Sequence, residues 1–150
     1  MNQNAYNATI NTESVLAQRA LLVIPITPGM DGSVDAHEEE MKRLARTAGL
    51  TTIETVHQNL QKPHAMTYIG KGKVDEIAKT IELAPEIDPT KRENQSIDIV
   101  LFGSDLSPVQ QRNLEKEFDR RVIDRTELIL DIFAQHAVTR DGKIQVELAQ

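Results

Sequence analysis

Hydrophobic and polar positions follow one another along the chain in blocks that predict strands alternating with helices. Ala20–Ile26 is a continuous apolar run, which is typical of a strand buried on both faces of a sheet. Thr51–Val56 is rich in β-branched residues and predicts a second strand. Ile97–Phe102 predicts a third strand and Arg121–Ile123 a short fourth one. Between each strand and the next there is room for a helix.

The intervening segments have apolar residues at the spacing of an amphipathic helix. The first predicted helix begins after Ser33, a good N-cap, and stops near Gly49. The second is short and carries its apolar residues between Val74 and Leu83, after a glycine- and lysine-rich loop. The stretch from Pro85 to Ser96 carries two prolines and mixed charges, which predicts a solvated loop.

The two later helices carry their own start signals. Ser107 is a good N-cap, Pro108 suits the first helical position, and Gln110 completes a capping box. Asp124 with Glu127 predicts the cap of a further helix. This order of elements predicts an α/β fold: a four-stranded, mostly parallel sheet with helices on both faces. Ligands of such sheets bind beyond the carboxyl ends of the strands, so a site is expected in the loops there.

Composition restricts the possible partners. The formal net charge is -6, so any contact with nucleic acid needs a local basic patch. The chain has no cysteine, which excludes disulfides and thiolate metal sites and is consistent with a cytoplasmic protein. The four histidines have no ligand spacing, so no metal is expected. No apolar run approaches the ~20 residues that a membrane span needs.

The first candidate site is the loop Gly70-Lys71-Gly72-Lys73, directly before a predicted helix. A positively charged turn at a helix N-terminus can cradle phosphate, from a nucleotide or from an RNA backbone. Alternatively, it is a tight turn whose glycines supply positive φ and whose lysines are merely solvated. The loop is not a Walker A motif, because Val74 follows Lys73 where Ser or Thr is required.

Two further turns are candidates. Ser104 or Asp105, after the third strand, could contact a ligand hydroxyl or a metal, or the turn could serve only to lead into the next helix. In Asp124-Arg125-Thr126, the planar guanidinium of Arg125 suits a phosphate. The alternative is that Asp124 caps a helix while Arg125 is solvated or salt-bridged.

Taken together, the motifs resemble the N-terminal domain of the HflX family of ribosome-associated GTPases. The resemblance covers the chain from about residue 20 to its end, and four segments in the expected order carry it: Leu44–Gly49, Tyr68–Val74, Leu106–Pro108 with Arg112–Glu115, and Val122–Gln150.

The resemblance implies an α/β domain, then a long helical hairpin, then a GTPase domain that binds GTP and magnesium. It implies as partners the rRNA and protein of the large ribosomal subunit, with a role in splitting or rescuing ribosomes, and a possible ATP ligand. The predicted organisation is a flexible tail at 1–18, the α/β domain at 19–138 and the start of the hairpin at 139–150. No Walker A motif occurs in the 150 residues, so no catalytic residue and no cofactor is assigned to them.

We therefore expect a cytoplasmic binding module that contacts the large ribosomal subunit through the loops at the strand ends. The residues expected to contact phosphate, with the glycines allowing close backbone approach, are Gly70, Lys71, Gly72, Lys73, Arg112 and Arg125. One alternative is a nucleotide-binding domain that uses the same loop for ATP. A second is a fold fragment with no activity of its own.

Overall fold

A computed structural model describes residues 18–30, 33–86 and 96–136 of the chain. The strands are β1 (Arg19–Ile26), β2 (Thr51–Asn59), β3 (Ile99–Phe102) and β4 (Arg121–Asp124). The helices are α1 (Val34–Thr47), α2 (Lys71–Leu83), α3 (Pro108–Phe118) and α4, which covers residues 125–136. All but residue 18 of the predicted tail at 1–18, most of the predicted loop at 85–96 and the predicted hairpin start at 139–150 lie outside the described residues.

The four strands form one parallel sheet in the order β2-β1-β3-β4, which confirms the predicted fold class. The most apolar strand, β1, occupies an inner position, where both its faces and both its edges are covered. The sequence placed the end of β2 at Val56, but β2 continues to Asn59 because its last residues pair with β1 as far as Ile26.

Helices cover the two faces of the sheet in pairs. Leu21 and Val23 point to the layer formed by α2 and α3, while Leu22 and Ile24 point to the layer of α1 and α4. Right-handed crossovers account for this arrangement. The connection from β1 to β2 runs one way across the sheet, and the connections from β2 to β3 and from β3 to β4 run the other way, so their helices lie on opposite faces. The carboxyl ends of β1 and β3 are therefore the point at which the strand order reverses.

The start signal at Ser33 acts only in part: Ser33 is the N-cap residue of α1, but its hydroxyl donates to the carbonyl of Met30 at 2.8 Å and makes no cap bond to the helix. The other predicted start and stop signals act as expected. Gly49 has φ 87°, a left-handed conformation that suits glycine just beyond the end of α1. At the start of α3, the Ser107 hydroxyl accepts from Gln110 N at 3.1 Å and Gln110 Oε1 accepts from Ser107 N at 2.8 Å. Asp124 Oδ1 accepts from Glu127 N at 2.9 Å and so caps α4.

Candidate functional site

The glycine–lysine segment forms the first turn of α2 rather than a loop before it. Gly70 is the N-cap, with φ -69°, and the helix starts at Lys71. Neither Gly70 nor Gly72 adopts positive φ, so the interpretation of this segment as a tight turn of that kind is wrong. A Cβ at Gly72 would have no neighbour within 4 Å. The backbone N–H groups of this turn point beyond the carboxyl end of the sheet, where a helix leaves its first donors without intrahelical partners.

A short loop holds the start of α2 in place. Gly70 N donates to Gln58 Oε1 on β2 at 3.0 Å. Tyr68 has φ 66° and exchanges two backbone hydrogen bonds with His64, each 2.9 Å long. The Tyr68 ring packs edge-on against Phe102 of β3, with the ring centroids 5.2 Å apart. The loop is therefore anchored to two strands of the sheet.

The same loop is fastened to α3. Gln110 Nε2 donates to the carbonyl of His64 at 2.8 Å, and Asn113 Nδ2 donates to the carbonyl of Met66 at 2.9 Å. Arg112 lies between these two residues on α3 but is exposed, and no ion pair of Arg112 occurs within the described part of the chain. The starts of α2 and α3 therefore form one surface on this face of the sheet.

The two lysines of this surface differ in environment. Lys71 is 88% exposed, and its Nζ lies 3.7 Å from Asp75 Oδ2. Lys73 is only 20% exposed, and its Nζ donates to Glu76 Oε2 at 2.9 Å. An exposed and longer pair such as Lys71–Asp75 contributes little to stability and holds the lysine only weakly. Lys71 is therefore the lysine that is freer to meet a phosphate.

Arg125 lies in the other helical layer. As the first residue of α4, it donates from Nε and Nη2 to Glu40 Oε1 on α1, at 2.8 and 2.7 Å. The structure thus brings Lys71, Lys73 and Arg112 to one layer and places Arg125 on the opposite one. It shows the salt bridge that was the alternative interpretation of Arg125. A phosphate contact by Arg125 stays a prediction.

The acidic residues near the strand ends have structural partners. Asp124 is 9% exposed, and its Oδ2 accepts from Leu106 N at 2.8 Å while its other oxygen caps α4. Asp105 Oδ1 accepts from the Thr126 hydroxyl at 2.7 Å. These bonds tie the turn after β3 to the start of α4. They support the view that the turn mainly leads into the next helix.

One contact, at the point where β1 and β3 diverge, was not predicted from the sequence. Gly103 N donates to Val23 O at 2.8 Å, as the next step of the parallel ladder. In such a ladder the Gly103 carbonyl would accept from the N–H of residue 25, but Pro25 has none. His37 Nε2 on α1 lies 2.6 Å from that carbonyl and supplies the missing donor. Proline near the end of a central strand was the available signal.

Gly103 itself fits this site because it lacks a side chain. A Cβ there would lie 3.0 Å from both Ile24 Cδ1 and Val23 O, and 3.3 Å from His37 Nε2. The backbone of the turn can therefore approach β1 and α1 closely. This contact joins the turn after β3 to β1 and α1 at the point where the strand order reverses.

Open space lies instead around the end of β2. A cleft of about 490 Å³ separates the β1–α1 loop from the end of β2, and its walls include Ile26, Pro28 and Leu60. A second cleft of about 700 Å³ follows the segment from Gln58 to Ala65, which leads towards the start of α2. Both clefts are shallow and mainly apolar.

Within residues 18–30, 33–86 and 96–136, no group of three or more His, Asp or Glu side chains is arranged to hold a metal ion. None of the helices in these ranges has the length and apolar content to cross a bilayer.

The fold and this surface define the class of protein: a three-layer parallel α/β domain whose helices begin at the carboxyl end of the sheet. Residues 35–134 match the family model described as "GTP-binding GTPase N-terminal". The chain is 41% identical over 133 residues to "GTPase HflX" of Lacrimispora saccharolytica, covering 89% of this chain and 29% of that protein. It is 42% identical over 112 residues to "GTPase HflX" of Escherichia coli, covering 75% of this chain and 24% of that protein.

The chain therefore belongs to the HflX family and corresponds to its N-terminal domain. It spans 29% and 24% of the length of these two relatives. A GTP-binding protein from Sulfolobus solfataricus, solved in complex with GDP, has the same fold. Its TM-score is 0.54 at 22% identity, and the alignment covers 88% of this chain and 35% of that one.

Proposed function

We propose that this domain is a cytoplasmic binding module of an HflX-type GTP-binding protein and that it contacts the large ribosomal subunit. GTP and magnesium would be bound by a separate GTPase domain of the whole protein. The observation that carries the proposal is the surface formed by the starts of α2 and α3. There an exposed lysine and an exposed arginine flank helix N-termini that are anchored to the sheet.

The helix N-termini favour an anionic partner. The first turn of α2 offers backbone N–H groups together with the positive end of the helix dipole. Lys71 extends from that turn into solvent, and Arg112 lies beside the loop that α3 holds. A phosphate of rRNA suits both kinds of donor.

Overall charge opposes this contact, since the chain carries a net -6. Binding must therefore depend on a few local cations, and it should be modest and sensitive to salt. Lys73 is partly neutralised by Glu76 and contributes less than Lys71 in this arrangement.

Co-sedimentation of the domain with isolated large subunits over a series of salt concentrations tests the proposal. We expect binding at low salt that declines as salt rises. Lys71→Ala and Arg112→Ala should each weaken binding and reduce the salt slope by about 1. Lys79→Ala, an exposed lysine two turns further along α2, is the matched control. Failure to pellet at low salt, or equal effects of all three substitutions, contradicts the proposal.

Arg125 needs a separate test because Glu40 already pairs with it. If Arg125 contacts phosphate, Glu40→Gln removes its competitor and should strengthen binding to the subunit. If Arg125 is only a structural link between α1 and α4, Glu40→Gln should lower stability without strengthening binding. Measuring both affinity and thermal stability separates the two roles.

ATP is a second candidate ligand, because the cleft along Gln58–Ala65 leads towards the same start of α2. In this hypothesis the phosphates meet Gly70–Lys73 while the base lies on the apolar wall of the cleft. Isothermal calorimetry with ATP, using wild type, Lys71→Ala and Lys73→Ala, is the test. Absent heat, or an affinity unaffected by both substitutions, removes this candidate.

A further inference from the structure

The two outer strands of the sheet differ in whether side chains bind the backbone groups along their free edges. On β4, the backbone N–H and carbonyl of Val122 point to the free edge of the sheet, and side chains of α3 bind both of them. The N–H donates to Glu115 Oε2 at 3.0 Å, and the carbonyl accepts from Gln111 Nε2 at 2.7 Å. On β2, the described residues provide no such cover along Thr51–Asn59. An uncovered strand of this length is a template for pairing with another strand.

The register shows which groups β2 offers. Leu60 N donates inward to Ile26 O, so the alternation of the ladder turns the backbone groups of Thr55, His57 and Asn59 away from β1. Val56 lies between them, half-buried, on the face covered by α2. This edge can therefore accept one further strand without breaking any bond among the described residues.

The charges beside this edge are arranged in two halves. Helix α1 runs antiparallel to β2, and Glu38 bonds to His57 at 2.5 Å, which sets their relative level. Helical spacing puts Asp35, Glu38, Lys42 and Arg46 on one side of α1, with the two acidic residues in its first half and the two basic residues in its second half. Within one copy, Lys42 already pairs with Glu38 at 2.8 Å. Both basic residues line a groove of about 480 Å³ along Thr51–Thr55.

We propose that a second copy of this chain occupies the edge, with the two β2 strands antiparallel about a two-fold axis at Val56. Thr55 of each copy then exchanges both backbone hydrogen bonds with His57 of the other. Val56 meets its own counterpart at the axis, and the two sheets become one continuous sheet. A two-fold interface of this kind uses the same surface on both copies.

The same axis matches the charges of the two α1 helices. A helix rises about 1.5 Å per residue and a strand about 3.3 Å. Lys42 is therefore level with Thr55, Arg46 with Ile53, and Asp35 with the end of β2. The axis at Val56 then places Glu38 opposite the second copy's Lys42, and Asp35 opposite its Arg46. Acidic and basic halves face each other, which favours a second copy over an unrelated strand.

Sedimentation equilibrium of the whole 150-residue chain, from micromolar to millimolar concentration, tests the proposal. We expect a reversible dimer. Thr55→Pro removes an outward N–H that the monomer does not use and should raise the dissociation constant about tenfold or more. Thr55→Val keeps that N–H and should leave the dissociation constant within a few-fold of wild type.

Reversing the charges on α1 provides a second test, which does not require that β2 accommodates a proline. Asp35→Arg and Arg46→Glu should each weaken the dimer, and the double variant should restore it, because the opposed charges are again unlike. Arg43→Glu, the same change on a side of α1 turned away from the edge, should have no comparable effect. A monomeric mass at all concentrations, or a dimer that none of these substitutions alters, overturns the proposal.

Discussion

Replacing His37 should reveal how the structure compensates for a proline in its central strand. His37→Ala removes the donor to the carbonyl of Gly103, which is a buried residue in the turn after β3. A buried acceptor left without a partner costs about 1–3 kcal/mol. For a domain of this size, each kcal/mol corresponds to a fall in Tm of about 3–5 °C.

Pro25→Ala provides the informative second change. Alone, this substitution should destabilise the domain. A buried proline ring is lost, and the greater conformational entropy of the unfolded chain lowers the free energy of unfolding by about 0.4–1 kcal/mol. Combined with His37→Ala, however, it supplies a backbone N–H that faces the vacated Gly103 carbonyl. The double variant should therefore be more stable, by about 1 kcal/mol, than the sum of the single effects predicts.

The assay is equilibrium unfolding in urea, followed by circular dichroism, for the wild type and the variants of this double-mutant cycle. Pro28→Ala with His37→Ala is the matched control, since Pro28 lies in a turn outside the β1–β3 ladder. That pair should be additive. Additivity of Pro25→Ala with His37→Ala as well would refute the argument that His37 replaces a missing backbone donor.

Three further predictions rest on other contacts. Asp124→Ala removes both the cap of α4 and the acceptor for Leu106 N, and should lower the free energy of unfolding by about 2–4 kcal/mol, more than Asp105→Ala does in the same urea titration. Hydrogen bonds from Lys42 and then His57 hold the pKa of Glu38 below its ordinary 4.5. That contribution to stability is present above pH 4.5 and is lost as the pH falls through the lowered pKa. The difference in free energy of unfolding between the wild type and Glu38→Gln should therefore become smaller as the pH is lowered. Finally, the purified chain should show no specific GTP turnover in a phosphate-release assay, and turnover that copurifies with the protein through successive columns would contradict this.

The candidate site was only partly predictable from the sequence. The loop at Gly70–Lys73 was identified from its residues, but its role as the first turn of α2 was not, because the helix start depends on Gln58 binding Gly70 N from β2. Arg125 was expected among the phosphate contacts, while its pairing with Glu40 depends on the packing of α4 against α1. Such pairings join residues far apart in the chain and leave no local signal.

The sequence by itself determined the order of strands and helices, the burial of β1 and the caps at Ser107 and Asp124, because apolar spacing and capping act over a few neighbouring residues. The tertiary structure decided which of these elements meet. It placed β1 between β2 and β3, left the outer edge of β2 uncovered by the described residues, and brought His37 to Gly103 across 66 positions of the chain. Contacts of that kind follow from the sheet order, which no short stretch of sequence encodes.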